Sequence, residues 1–107
     1  MKFPESEVAG KRYNDAVTIN FTGALTEYII GTNANAALAG SWPSGVVAKD
    51  IAFYATQACL IRFNDMRANP HPIPAGLVPV IRFTVRTEKI YVTQDVGPGI
   101  LYVWIEG

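Results

Sequence analysis

From Ala16 onward, apolar and polar side chains alternate with a period of two. Val17, Ile19 and Phe21 interleave with Thr18 and Asn20, the pattern of a strand buried on one face. Gly23 breaks that run, and Leu25 to Ile30 predicts a second strand ended by Gly31. Asn33 to Gly40 is rich in Ala and Asn and reads as a short helical turn or a loop. Trp42-Pro43-Ser44-Gly45 is a turn signature. Val46-Val47 can start a further strand, and Ile51 to Ala55 and Ala58 to Phe63 predict two more. Pro70, Pro72 and Pro74 argue against a ladder strand between Asn64 and Gly76. Within Leu77 to Arg86, Ile81, Phe83 and Val85 share one face while Arg82, Thr84 and Arg86 share the other. Glu88-Lys89 reads as a tight polar turn, followed by strands at Ile90 to Thr93 and Ile100 to Ile105.

Seven or eight short strands with frequent turn signals, and no long segment of 3.6-residue period, predict an all-β fold. The expected architecture is an antiparallel β-sandwich, with a jelly-roll and an immunoglobulin-like strand order both open. Residues 1–14 are polar, contain Pro4 and Gly10 and show no period, so they read as an extended N-terminal arm that orders only against a partner. Residues 15–107 then form one domain.

Composition sharpens this picture. The chain has 107 residues, half of them apolar and 17% charged, with nine basic and nine acidic side chains that cancel. Zero net charge argues against nucleic acid as a partner, and gives no electrostatic reason to bind an anionic membrane. The opening Met1-Lys2-Phe3-Pro4-Glu5-Ser6-Glu7 does not read as a secretory signal, and no apolar run approaches a membrane span. A neutral, apolar chain favours association with other chains.

Candidate chemistry is sparse. Cys59, His71 and Asp65 form a nominal nucleophile, base and orienting group. Cys59 nevertheless shares its parity with Ile61 and Phe63, which reads as a small buried apolar side chain. Asp65, Asp95 and Glu106 lack the spacing of a calcium loop, and Gly97-Pro98-Gly99 leads into a strand and reads as a turn. The sequence therefore predicts no catalytic residue, cofactor or metal. Trp42, Tyr54, Tyr91, Tyr102 and Trp104 are candidates for stacking on sugar rings, or else for packing in the core or between subunits.

Arg62, Arg82 and Arg86 lie opposite the cleanest apolar faces, either as a basic stripe at a subunit contact or as a solvated face paired with Glu88 and Glu106. The final strand is apolar on both faces, Leu101, Val103 and Ile105 against Ile100, Tyr102 and Trp104. A strand apolar on both faces in a two-layer domain needs cover from elsewhere, and a neighbouring subunit is the simplest source. Arg82, Ile100, Tyr102 and Trp104 are the expected subunit interface. Phe3, Arg12 and Tyr13 are the expected contact residues of the arm.

The second half carries a resemblance. The series Ile61-Arg62-Phe63-Asn64, His71-Pro72-Ile73-Pro74-Ala75-Gly76, Lys89-Ile90-Tyr91-Val92 and Gly99 to Gly107 resembles small β-sandwich virion proteins of tailed bacteriophages. It covers about residues 50–107, as a pattern of strands and turns without a catalytic signature. It implies a minor capsid, cement or decoration component located on the virion. It also implies a homo-oligomer, with a trimer favoured, bound to the major capsid protein or another virion protein.

Overall fold

A computed structural model describes residues 16–32, 38–40, 42, 47–76 and 80–106. Phe3, Arg12 and Tyr13, and the expected arm as a whole, lie outside these residues. Nine strands are present among them: β1 (Val17–Phe21), β2 (Thr26–Ile29), β3 (Leu38–Ala39), β4 (Ala48–Ala55), β5 (Cys59–Phe63), β6 (His71–Ile73), β7 (Ile81–Thr87), β8 (Lys89–Gln94) and β9 (Gly99–Ile105). They form two packed antiparallel sheets, a five-stranded one in the order β3-β1-β9-β4-β7 and a four-stranded one in the order β2-β8-β5-β6.

This order follows from a single long hairpin rolled up on itself. The ribbon turns between β5 and β6, and each strand before that turn pairs with one after it in reverse sequence: β5 with β6, β4 with β7, β2 with β8, β1 with β9. The roll closes when β9 pairs β4 and β8 pairs β5. Setting aside the two-residue edge strand β3, these are the two four-stranded sheets of a jelly roll. In an immunoglobulin-like order several hairpins stay within one sheet; among the described strands only β5 and β6 are consecutive and paired with each other.

The period-two pattern places the core. Val17, Ile19, Phe21, Ile51, Phe53, Ala55, Leu101, Val103 and Ile105 point inward from the larger sheet. Tyr28, Cys59, Ile61, Phe63, Ile73, Ile90 and Val92 meet them from the smaller one. Three phenylalanines tie the layers together: the rings of Phe53, Phe63 and Phe83 lie 5.1–6.1 Å apart at tilted to edge-on angles. Such pairs contribute about 0.5–1.5 kcal/mol each beyond the area they bury.

Three local expectations change. The proline-rich stretch does contain a strand, β6, with Pro72 opposite Leu60. Proline is excluded from central ladders because it lacks an N–H, but β6 is the sheet edge, where alternate residues turn their backbone toward solvent. Within Asn33 to Gly40, Leu38–Ala39 forms a short edge strand against Thr18 and Ile19, where a helical turn or loop was expected. Glu88 with Lys89 is a corner between layers: β7 ends at Thr87 in the larger sheet, and β8 begins at Lys89 in the smaller one.

Asn64 holds that corner. Its backbone has φ 66°, a left-handed conformation that Asn tolerates better than most residues. Its side-chain Nδ2 donates to the Arg86 carbonyl at 2.8 Å, and its Oδ1 accepts from the N–H groups of Glu88 at 2.7 Å and Lys89 at 3.3 Å. Its own N–H donates to the Lys89 carbonyl at 2.8 Å. One amide thus satisfies backbone groups that leave one sheet before joining the other. Asn64→Ala is expected to lower unfolding free energy by about 1–3 kcal/mol, read by urea denaturation. An unchanged midpoint contradicts the assignment.

Candidate functional site

The outer face of the five-stranded sheet gathers most of the residues singled out in the sequence. In β9, Leu101, Val103 and Ile105 are buried inward, while Ile100, Tyr102 and Trp104 stand outward and half-buried. The register sets Tyr102 opposite Tyr54 of β4 and Thr18 of β1, and Trp104 opposite Ala52. Tyr54 and Tyr102 have ring centroids 6.1 Å apart, and Tyr102 and Trp104 are stacked at 6.4 Å with 28° between planes. The three rings form a continuous aromatic row across two central strands.

Ala52 lies between Trp104 and Arg82 in register and is 1% exposed although it points outward. Burial of so small a side chain on an outer face requires the larger ones flanking it to close over it. Arg82 borders the row on β7, and its Nε donates to Glu106 at 2.9 Å. Farther along β7, Arg86 pairs with Glu88 at 3.2 Å. Both arginine side chains are well exposed, so each pair contributes roughly 0–1 kcal/mol to stability. The expected partners Glu106 and Glu88 are thus both used. A three-arginine stripe is not formed, because Arg62 is on β5 of the other sheet, opposite Tyr91.

The other aromatic candidates separate from this row. Trp42 is buried in the core at 4% exposure. Tyr91 is on the outside of the smaller sheet, where its hydroxyl donates to Glu27 at 2.6 Å. Lys89 joins the same carboxylate at 3.4 Å. The Tyr91 hydrogen bond is the main reason the Glu27 carboxyl lies below its ordinary value, with the Lys89 charge adding to it. The same hydrogen bond raises the Tyr91 hydroxyl. The Lys89 ammonium is raised first by the charge of Tyr91, then by its bond to Glu27. Sequence reading gave no role to Glu27; its only signal was its place on a short strand that pairs with β8.

The nominal catalytic set does not assemble as chemistry. Cys59 is 0% exposed and opposite Ile73. Burial, reinforced by the negative charge of Asp95, pushes its thiol up to about 12. His71 packs edge-on between Phe63 and Phe83, 5.3 Å from each ring. Asp65 caps its own loop, accepting from the Arg67 N–H at 2.9 Å. Among the described residues no cluster of three His, Cys, Asp or Glu side chains is arranged to hold a metal ion.

No family model, curated protein or solved structure matches the chain.

Two outcomes follow. Cys59 stays unlabelled by a thiol reagent in the folded protein and reacts after denaturation; rapid labelling of the folded form contradicts its burial. The lowered Glu27 carboxyl stabilises the fold above its unfolded value, and that contribution is lost as pH falls through the folded one. Glu27→Gln therefore flattens the acid limb of a stability–pH curve measured by urea denaturation below about pH 4.5. An identical slope in both proteins contradicts the link.

Proposed function

We propose that the protein is a structural component of a bacteriophage particle, which self-associates through the outer face of its five-stranded sheet and cements or decorates the capsid surface. The observation that carries the self-association is the half-buried row of Tyr54, Tyr102 and Trp104, continued by Ile100 and bordered by Arg82. Aromatic residues and arginine are the side chains most enriched at protein contacts, and they supply most of the binding energy there. The assignment to a virion draws its support from the resemblance of residues 50–107 to phage capsid-associated proteins. A jelly-roll order is compatible with it, being common in viral capsid domains and also in lectins. A homotrimer on the major capsid protein is the arrangement the resemblance favours. Such a role requires a rigid fold with a broad contact surface and no reactive group.

One observation favours a second reading on the same surface. The near-parallel Tyr102 and Trp104 rings present flat faces of the kind that stack on sugars, as a carbohydrate- or receptor-binding module of a spike or fibre would use. The two readings separate in one experiment. Sedimentation of the purified chain at micromolar concentration is expected to show an oligomer. Trp104→Ser is expected to weaken its association by about 30-fold or more, the effect of removing roughly 2 kcal/mol from a contact, with a cooperative melt retained. A wild-type monomer overturns self-association. A monomer that binds a glycan array, and loses that binding on Trp104→Ser, establishes the second reading instead.

A further inference from the structure

We propose that the outer face of the four-stranded sheet carries an anion site centred on Arg62, whose ligand is a carboxylate. The site lies on the opposite side of the sandwich from the aromatic row, and it stands or falls independently of the self-association argued above.

One row of this sheet sets Glu27, Tyr91 and Arg62 side by side on β2, β8 and β5. Lys89 shares the parity of Tyr91 on β8 and joins them on the outer face. Pairing within the group is lopsided. One oxygen of Glu27, Oε2, accepts from the Tyr91 hydroxyl at 2.6 Å and from Lys89 Nζ at 3.4 Å. Arg62 stands on the far side of Tyr91, two inter-strand spacings or about 10 Å from Glu27 along the sheet. Among the described residues Arg62 has no hydrogen-bond or ion-pair partner.

Nor is Arg62 a freely solvated side chain. It is half-buried, and its Nε is sealed from solvent without an acceptor. Tyr91 beside it is 6% exposed although it points outward. Burial of a ring on an outer face requires long side chains to lie over it, and Arg62 and Glu27 are its direct neighbours across the ladders. The guanidinium is thus held against the sheet with its donors unused. An arginine on a free stem keeps all five N–H groups in water. This one has already lost part of its hydration, so an incoming acceptor is charge-assisted and displaces less water.

Charge selects the ligand. At the outward positions of the four strands the charged residues are Glu27, Lys89 and Arg62, one negative and two positive. Glu27 and Lys89 offset each other, which leaves the single charge of Arg62. A carboxylate balances that charge, and its two oxygens match the planar guanidinium fork. A doubly charged anion leaves an excess negative charge beside Leu60 and Pro72, the apolar neighbours of Arg62 on this face.

The test titrates the full chain with sodium acetate, and separately with sodium sulfate, at an ionic strength held constant with sodium chloride. Arginine Nε–H signals are followed by NMR. The Arg62 signal is expected to shift and saturate in acetate, while those of Arg82 and Arg86 stay in place because Glu106 and Glu88 already hold them. No Arg62 shift, or an equal shift of all three signals, overturns the site. Saturation by sulfate at a lower concentration than acetate overturns the carboxylate as ligand. Arg62→Lys keeps the charge without the fork and is expected to weaken acetate binding several-fold, read from the backbone amides of Tyr91 and position 62 in a protein that still melts cooperatively. An unchanged affinity overturns the guanidinium as the binding group. The wild-type titration stands by itself if that variant does not fold. Glu27→Gln removes the one negative charge and is expected to move the preference several-fold toward sulfate. An unchanged ratio of the two affinities overturns the charge balance.

Discussion

The five-stranded sheet exists because β9 is hydrogen-bonded on both sides, to β1 along Val17–Phe21 and to β4 along Ile51–Ala55. Remove it, and the sheet falls into two pairs, β3 with β1 and β4 with β7. Its inward side chains Leu101 and Val103 are among the most deeply buried of the described residues, and Ile105 is buried beside them. They sit over the opposing layer, where Ile61, Ile90 and Val92 complete the core. Backbone pairing and apolar burial therefore converge on one strand, and the rolled ribbon cannot close without it.

That strand divides its labour between its faces. The inner face has the residues any two-layer fold demands. The outer face has Ile100, Tyr102 and Trp104 where a solvated sheet would alternate to polar side chains. Nothing in the folding of the described sandwich requires two aromatic rings there, since the core is complete without them. Their grouping with Tyr54, and the shielding of Ala52 beneath larger neighbours, give that surface a smooth apolar character bordered by the Arg82–Glu106 pair. The proposed contact draws on that character.

Much of this was legible in the sequence because strand periodicity is a local signal. The alternation in Ile81 to Arg86 assigned both faces of β7, and the doubly apolar run in β9 marked its outward aromatics. Partners across strands were less legible. Arg62 has the same local pattern as Arg82 and Arg86, yet the chain changes sheets between them, so parity alone could not show that they face opposite ways. The proline-rich stretch was misread because the rule against proline assumes a neighbour on both sides, and edge position is a property of the whole sheet. Asn64 gave no sign at all: its role depends on a corner formed by residues more than twenty positions away. The choice between jelly roll and immunoglobulin-like order was out of reach for the same reason, since connectivity is written in pairings and not in periods.

The central place of β9 also sets an order of events during synthesis. Its two partners leave the ribosome well before it does, β1 by most of the length of the chain. Until β9 emerges, the facing flanks of β1 and β4 have unfilled ladders and uncovered apolar side chains. Closure then joins Val17 to Val103, a contact between the two ends of the described chain, and contacts so distant in sequence make for slow folding. Until that closure, the facing edges of β1 and β4 are open to wrong partners.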